Sequence, residues 1–193
     1  MSFESAHNYS DYQRYLEIKH HLQIRYRNIS MVDACAIDFI EAIVLHRETD
    51  WYHVGCALLQ RIWIKPLREA FETSKNVFTY AIARRKDHEA LSHAIAESVE
   101  DSQWINLKFV YRPYKSFVRW MRFWHHVHAI PISFVNRAFI AARMAGYSCV
   151  IDDLEKNFKT INLKGKCYIP FNAPSFQETL LTLYFTTKGV RTY

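Results

Sequence analysis

Ser133-Phe-Val-Asn-Arg-Ala-Phe-Ile-Ala-Ala-Arg-Met-Ala-Gly-Tyr-Ser-Cys-Val-Ile-Asp-Asp-Leu-Glu-Lys-Asn-Phe158 decides the fold, because its reading turns on one residue, Gly146. Glycine weakens a helix interior and readily takes the left-handed conformation that closes a helix. Read as a stop, it divides the stretch into a helix over residues 133–145, a turn over 145–148 and a short helix over 149–158. Beyond it, residues 158–163 and 166–171 alternate like two strands around a tight Lys164-Gly165 turn. Helix, turn, helix, hairpin is the order of a winged helix-turn-helix, whose second helix enters the major groove. The spacing therefore predicts a mostly α protein, a helical bundle with a small C-terminal β-hairpin and a winged-helix-like tail. In that plan Lys156, Asn157 and Lys159 face the bases against the charge of Asp152, Asp153 and Glu155, and Lys164 and Lys166 reach phosphate from the hairpin tip.

Upstream, the pattern is helical throughout. Pro113 suits the first turn of a helix that must end near Ala129, since Pro131 disfavours helix at Ile130. Earlier helices are predicted from a Ser10-Asp11 cap, over residues 31–45, from a Thr49-Asp50 cap to about residue 64, from Pro66 to Ile82, and from an Asp87 cap to about Val99. The last is expected from Pro174-Ser175 to Phe185.

The chain has 193 residues, half of them hydrophobic, with four Gly and five Pro, which suits one compact domain and leaves little room for flexible linkers. Its charge is uneven. Residues 1–101 hold 12 Lys/Arg against 15 Asp/Glu, residues 102–151 hold seven against none, and residues 152–193 hold six against four. A near-neutral helical part, 1–101, is thus followed by a basic part, 102–193. Cys35, Cys56, Cys149 and Cys167 have neither metal-knuckle nor CxxC spacing, and the apolar neighbours of Cys35 and Cys56 predict reduced core thiols. With no basic leader, no apolar h-region and no membrane-length apolar run, a soluble cytoplasmic protein is expected.

The acid-free block carries the strongest functional signal. On a helical wheel Arg112, Lys115, Arg119, Arg122 and His126 fall within roughly 80° of one another, with Phe117, Trp120, Met121, Trp124 and Val127 opposite. Like charges at this spacing repel, so an unrelieved ridge suggests an anionic partner. Three uses suit it: pairing with Glu97, Glu100, Asp101 or other acids of the first half, tracking a nucleic-acid backbone, or lying at a membrane interface with Trp120 and Trp124 as anchors. The membrane is the least favoured, the helix being embedded in mid-chain.

Ten histidines raise the question of metal. His125 and His126 point about 100° apart on a helix, and no carboxylate or thiolate completes a site with His128, so no metal or other cofactor is expected. Neither a Ser–His–Asp order, a phosphate-cradling glycine loop nor HExxH occurs. One catalytic pattern does. Arg47-Glu-Thr-Asp-Trp-Tyr-His53 resembles the Arg-x4–6-His motif of HEPN-family ribonucleases, small helical domains that often act as dimers. The resemblance covers these seven residues, and Glu48 stands where that family usually has Asn, Asp or His. It implies Arg47 and His53 as a metal-independent catalytic pair acting on RNA at a homodimer interface.

The favoured reading of the sequence is a non-enzymatic nucleic-acid-binding protein, contacting phosphates of DNA or RNA through Arg112, Lys115, Arg119, Arg122, Lys164 and Lys166, with Phe123 available to stack on bases. The alternative is an adaptor or inhibitor that docks an acidic protein surface. The HEPN-like ribonuclease is the second alternative.

Overall fold

A computed structural model describes residues 3–82, 86–107, 109–111, 116–170 and 176–193. In chain order the elements are α1 (Phe3–His21), β1 (Arg25–Tyr26), β2 (Ile29–Ser30), α2 (Met31–Ala34), α3 (Ala36–Ile43), α4 (Trp51–Leu59), β3 (Gln60–Ile62), α5 (Ile64–Phe71) and β4 (Val77–Ile82). They continue with α6 (Lys86–Ser98), β5 (Ser102–Leu107), β6 (Phe109–Tyr111), α7 (Ser116–Val127), α8 (Phe134–Phe158), β7 (Cys167–Pro170), α9 (Phe176–Thr187) and β8 (Arg191–Thr192). The protein is mostly helical, with a few strands. It divides into two units, each made of two chain segments: unit 1 is Met1–Gln60 with Arg112–Cys149, and unit 2 is Arg61–Tyr111 with Val150–Tyr193. Neither division falls at residue 101, where the charge balance changes.

In unit 1, α1 runs through Ser10 and Asp11 instead of starting there, and Asp11 hydrogen-bonds His46 at 2.8 Å. A two-residue turn at Arg27 (φ 47°) and Asn28 (φ 67°) then joins β1 to β2, the double positive φ that a tight hairpin favours. Ser30 caps α2 by accepting from Asp33 N, and Cys35 interrupts the expected helix over 31–45. Asp50 caps α4 as its sequence indicates, its carboxylate accepting from His53 N at 2.8 Å. Asp50→Ala is therefore expected to lower the urea midpoint of unit 1, while Asp50→Asn keeps it close to that of the parent.

Three helices of unit 1 pack around small residues. Val54 and Ala57 of α4 meet Ala138 and Ala142 of α8, and Trp120 and Trp124 of α7 lie against them. The alanines leave the volume that two indoles need, and Trp120 Nε1 donates to Ala138 O at 3.0 Å.

The reading of Gly146 as a stop is corrected here: α8 continues through Gly146, Tyr147 and Ser148 to Phe158. Residues 140–151 are all buried, and that burial outweighs the roughly 1 kcal/mol a mid-helix glycine costs. Without a turn after residue 145 there is no helix-turn-helix. The hairpin is corrected as well. Residues 159–163 contain no strand, and β7 pairs in parallel with β4 on one side and β8 on the other. Gly165, at φ 83°, does make the expected turn.

Unit 2 is consequently a parallel α/β sheet instead of part of a helical bundle. Its four strands run in the order β5-β4-β7-β8, with Phe78 opposite both Gln103 and Tyr168. Val77–Ile82, read from sequence as the end of a helix, is the central strand β4. Its Val-Phe-Thr-Tyr-Ala-Ile is rich in the β-branched and aromatic residues a pleated, doubly covered strand favours. Both crossovers, β4-α6-β5 and β7-α9-β8, are helical. On one face Phe78 stacks with Phe71 of α5 at 4.2 Å, and Phe71 meets Phe158 and Phe185 at 5.4 and 4.8 Å. On the other, His93 of α6 lies on Trp104 of β5 at 4.1 Å. Helices thus cover both faces.

Candidate interaction face on unit 1

The sequence-derived cations that are described differ in their surroundings. Arg112 and Lys115 lie outside the described residues. Arg119 turns inward: its guanidinium donates to Ser148 Oγ at 3.2 Å and lies over the Tyr26 ring at 5.6 Å. Arg122 is exposed. In unit 2, Lys164 is exposed at its turn, but Lys166 is buried, with Nζ donating to Thr73 O at 3.1 Å and Lys75 O at 2.8 Å. Burial holds its pKa below the ordinary lysine value. Lys166 is therefore engaged within the fold, in contrast to the exposed hairpin-tip position its sequence suggests. Phe123 is buried and cannot stack on a base.

The HEPN-like residues are each engaged by a neighbour. Arg47 Nη1 pairs with Glu41 Oε1 at 2.7 Å, and His53 Nδ1 with Asp50 Oδ1 at 2.7 Å. No hydrogen bond or ion pair joins Arg47 to His53 among the described residues. Backbone hydrogen bonds to His53 hold Asp50 below the usual carboxylate range, so the acid is a helix cap first.

The described residues place something else on α7. The wheel put Phe117 and Met121 opposite the cations, and that side is not all buried: Phe117, Val118 and Met121 are 60%, 78% and 51% exposed. The buried sector is set by Ser116, Phe123 and Val127, with Arg119 half-buried beside them. Ser116 Oγ donates to Leu58 O, which ties the first turn of α7 to the end of α4. From Phe117 a chain of ring contacts runs across the unit: Phe117–Trp120 and Trp120–Trp124 at 5.7 Å, Trp124–Phe134 at 5.1 Å, and Phe134–Trp51 at 6.0 Å. Trp51, its neighbour Tyr52 and Phe134 are all exposed. Asn136 fixes the loop that presents Trp51, donating to Arg47 O and accepting from Thr49 N. Arg137 lies over Phe134 at 5.9 Å, and Arg122, His125 and His126 of α7 are exposed. The sequence signal that could have found this face was the Ser116-Phe123-Val127 stripe, spaced i, i+7, i+11. It marks the buried side without reference to charge.

A buried polar cluster in the same unit is structural. Asp38 Oδ1 faces Arg143 Nε at 3.4 Å, Arg143 donates to Gln60 Oε1 at 3.1 Å, and its guanidinium lies over Phe139 at 4.8 Å. Burial pushes the Asp38 carboxyl up to about 6 against the pull of Arg143, and pushes the Cys35 thiol and Tyr147 phenol well above their ordinary values. A thiol held in its neutral form is no nucleophile.

All four cysteines are free. Among the described residues no His/Cys/Asp/Glu group could hold a metal, and no helix is long and apolar enough to cross a membrane. No family model, curated protein or solved structure matches the chain.

Proposed function

We propose that this protein is a non-enzymatic binding module, an adaptor or inhibitor that docks a protein partner through the aromatic face of unit 1. One observation carries the reading: the exposed set Trp51, Tyr52, Phe117, Val118, Met121, Arg122 and Phe134. Aromatics, Met and Arg are the residues enriched in the centres of protein interfaces, and Lys, Glu and Asp are depleted there. Monomers rarely leave contiguous aromatic surface without a use for it. Arg122 supplies a cationic edge, so the partner carries an apolar patch rimmed by carboxylates. The partner groups facing Arg122 set association rate and register, and the rings supply affinity.

A nucleic-acid partner is the second reading, favoured by the ring chain itself, since single-stranded bases stack on exposed aromatics. The two differ in salt dependence. Each phosphate contact adds roughly −0.9 to the slope of log affinity against log salt for duplex DNA, and roughly −0.7 for a single strand. With Arg119 and Lys166 turned inward, a mobility-shift assay at low salt is expected to show no retention of DNA or RNA. Against the protein partner, Phe117→Glu and Met121→Glu are each expected to weaken binding by at least roughly 30-fold, the scale of an interface hot spot. Both residues are exposed, so thermal unfolding should not shift. Retention of nucleic acid that the same substitutions abolish would overturn the protein reading.

A further inference from the structure

We propose that unit 1 binds a small zwitterion of the α-amino acid class in a cleft between the C-terminal end of α3 and the N-terminal end of α8. The cavity holds about 120 Å³, room for roughly 8–12 water-sized groups, so its ligand is smaller than the occupants of most binding sites. Its lining includes Arg14 of α1, Ala42 and Ile43 in the last turn of α3, Glu48 in the loop that follows, and Pro131 and Ser133 just before α8.

Two opposite charges line this cleft without pairing with each other. Arg14 is brought to it from α1, its Nη2 donating to Pro131 O at 3.2 Å. Glu48 is brought by the loop after α3. Asn136 clamps that loop on both sides of Glu48, donating to Arg47 O at 2.8 Å and accepting from Thr49 N at 3.0 Å. Among the described residues no ion pair joins Arg14 to Glu48, and the Glu48 carboxylate accepts no hydrogen bond. The guanidinium opposes a ligand that is only a cation, and the carboxylate opposes one that is only an anion. A ligand with both charges a few bonds apart satisfies the two together.

The helix ends at the cleft have the matching polarity. The chain leaves α3 through His46, whose φ of 47° is left-handed, and the N–H groups of Val44, Leu45 and Arg47 go to Ile40 O and Glu41 O. The carbonyls of Ala42 and Ile43 are left without a backbone donor among the described residues, at the negative end of the helix. At the start of α8, Ser133 Oγ accepts from Asn136 N at 3.2 Å, and its own proton remains available to donate. The positive end of the α8 dipole lies there. The ligand's carboxylate therefore goes to Arg14 and Ser133, and its ammonium to Glu48. His46, tied to Asp11 of α1 at 2.8 Å, is a wall of the cleft.

The test is calorimetric titration of the full chain with L-alanine and with two relatives that each lack one charge, N-acetyl-L-alanine and L-alaninamide. L-Alanine is expected to bind saturably and at least roughly tenfold more tightly than either relative. Arg14→Gln and Glu48→Gln should each weaken L-alanine by at least roughly tenfold, and Arg14→Lys, which keeps the charge, should lose less. Arg14 and Glu48 are exposed, so the unfolding midpoint of each variant should match the parent. No saturable binding of L-alanine at millimolar concentrations, equal affinity for the singly charged relatives, or indifference to Arg14→Gln and Glu48→Gln would each overturn the proposal.

Discussion

Arg143→Met is expected to destabilise unit 1 by about 3–5 kcal/mol at pH 8 and by much less at pH 5. The substitution keeps the length of the side chain and removes its charge, leaving Asp38 buried without a cation. Asp38 is 4% exposed, and its Oδ2 has no hydrogen-bond partner among the described residues. The sign follows from linkage. In the parent protein burial raises the Asp38 carboxyl from 3.8 to about 6, so between those values the folded state holds a proton that the unfolded state has lost. Stability then falls as pH rises from about 4 to about 6, by roughly 3 kcal/mol, and levels off above. Arg143 is what stops the rise at 6. Without it the carboxyl titrates higher, and the loss continues to higher pH. Asp38→Asn combined with Arg143→Met should recover most of the stability at pH 8, because the uncompensated charge is gone. Denaturant unfolding across pH 4–9 checks all three statements, and a cost for Arg143→Met that does not vary with pH would show that Asp38 ionisation is not involved.

The second large effect lies in unit 2. Phe71→Ala should cost about 3–5 kcal/mol, since it opens a cavity where four rings meet. Phe71 is fully buried and touches Phe78, Phe158 and Phe185 with centroid distances between 4.2 and 5.4 Å. Phe158 ends α8, Phe185 belongs to α9 and Phe78 to the central strand, so one ring joins three elements of the unit. Phe71→Leu fills most of the volume and should cost under about 1.5 kcal/mol. Amide hydrogen exchange would locate the effect: amides of β4 and β7 should lose protection. A loss of under about 1 kcal/mol for Phe71→Ala would mean that the ring cluster is not the core of unit 2.

The elements legible in the sequence were those fixed by local chemistry. The Asp50 cap, the start of α8 after Ser133, α9 and the Lys164-Gly165 turn depend on nearest neighbours, and each stands where its residues place it. The errors arose where long-range packing overrides a local signal. Gly146 reads as a stop on its own, but residues 140–151 are buried together and the helix continues. The strand Val77–Ile82 reads as helix because Pro66 and the apolar residues after it extend a helical period. Only its pairing with Ser102–Leu107 and Cys167–Pro170, tens of residues away, makes it a strand. The cationic ridge failed for a related reason. A wheel centred on charge assumes that every cation faces water, whereas Arg119 meets Ser148 and Tyr26. Long side chains can bury their heads where a hydroxyl and a ring receive them. Arg122 alone of the described ridge arginines is exposed, and Phe117 and Met121, opposite the charge on the wheel, are exposed with it.

The most direct test of the aromatic face is site-specific photo-crosslinking in the cells that express the protein. A photoreactive residue at Met121 lies in the middle of the exposed surface of α7, and one at Lys65 of unit 2 serves as the control. The expected result is a discrete, protease-sensitive adduct from position 121 that is absent at position 65, lost on Phe117→Glu, and reproduced when the partner identified from it is purified and mixed with the protein. A nuclease-sensitive adduct at position 121, or equal labelling at both positions, would contradict the account.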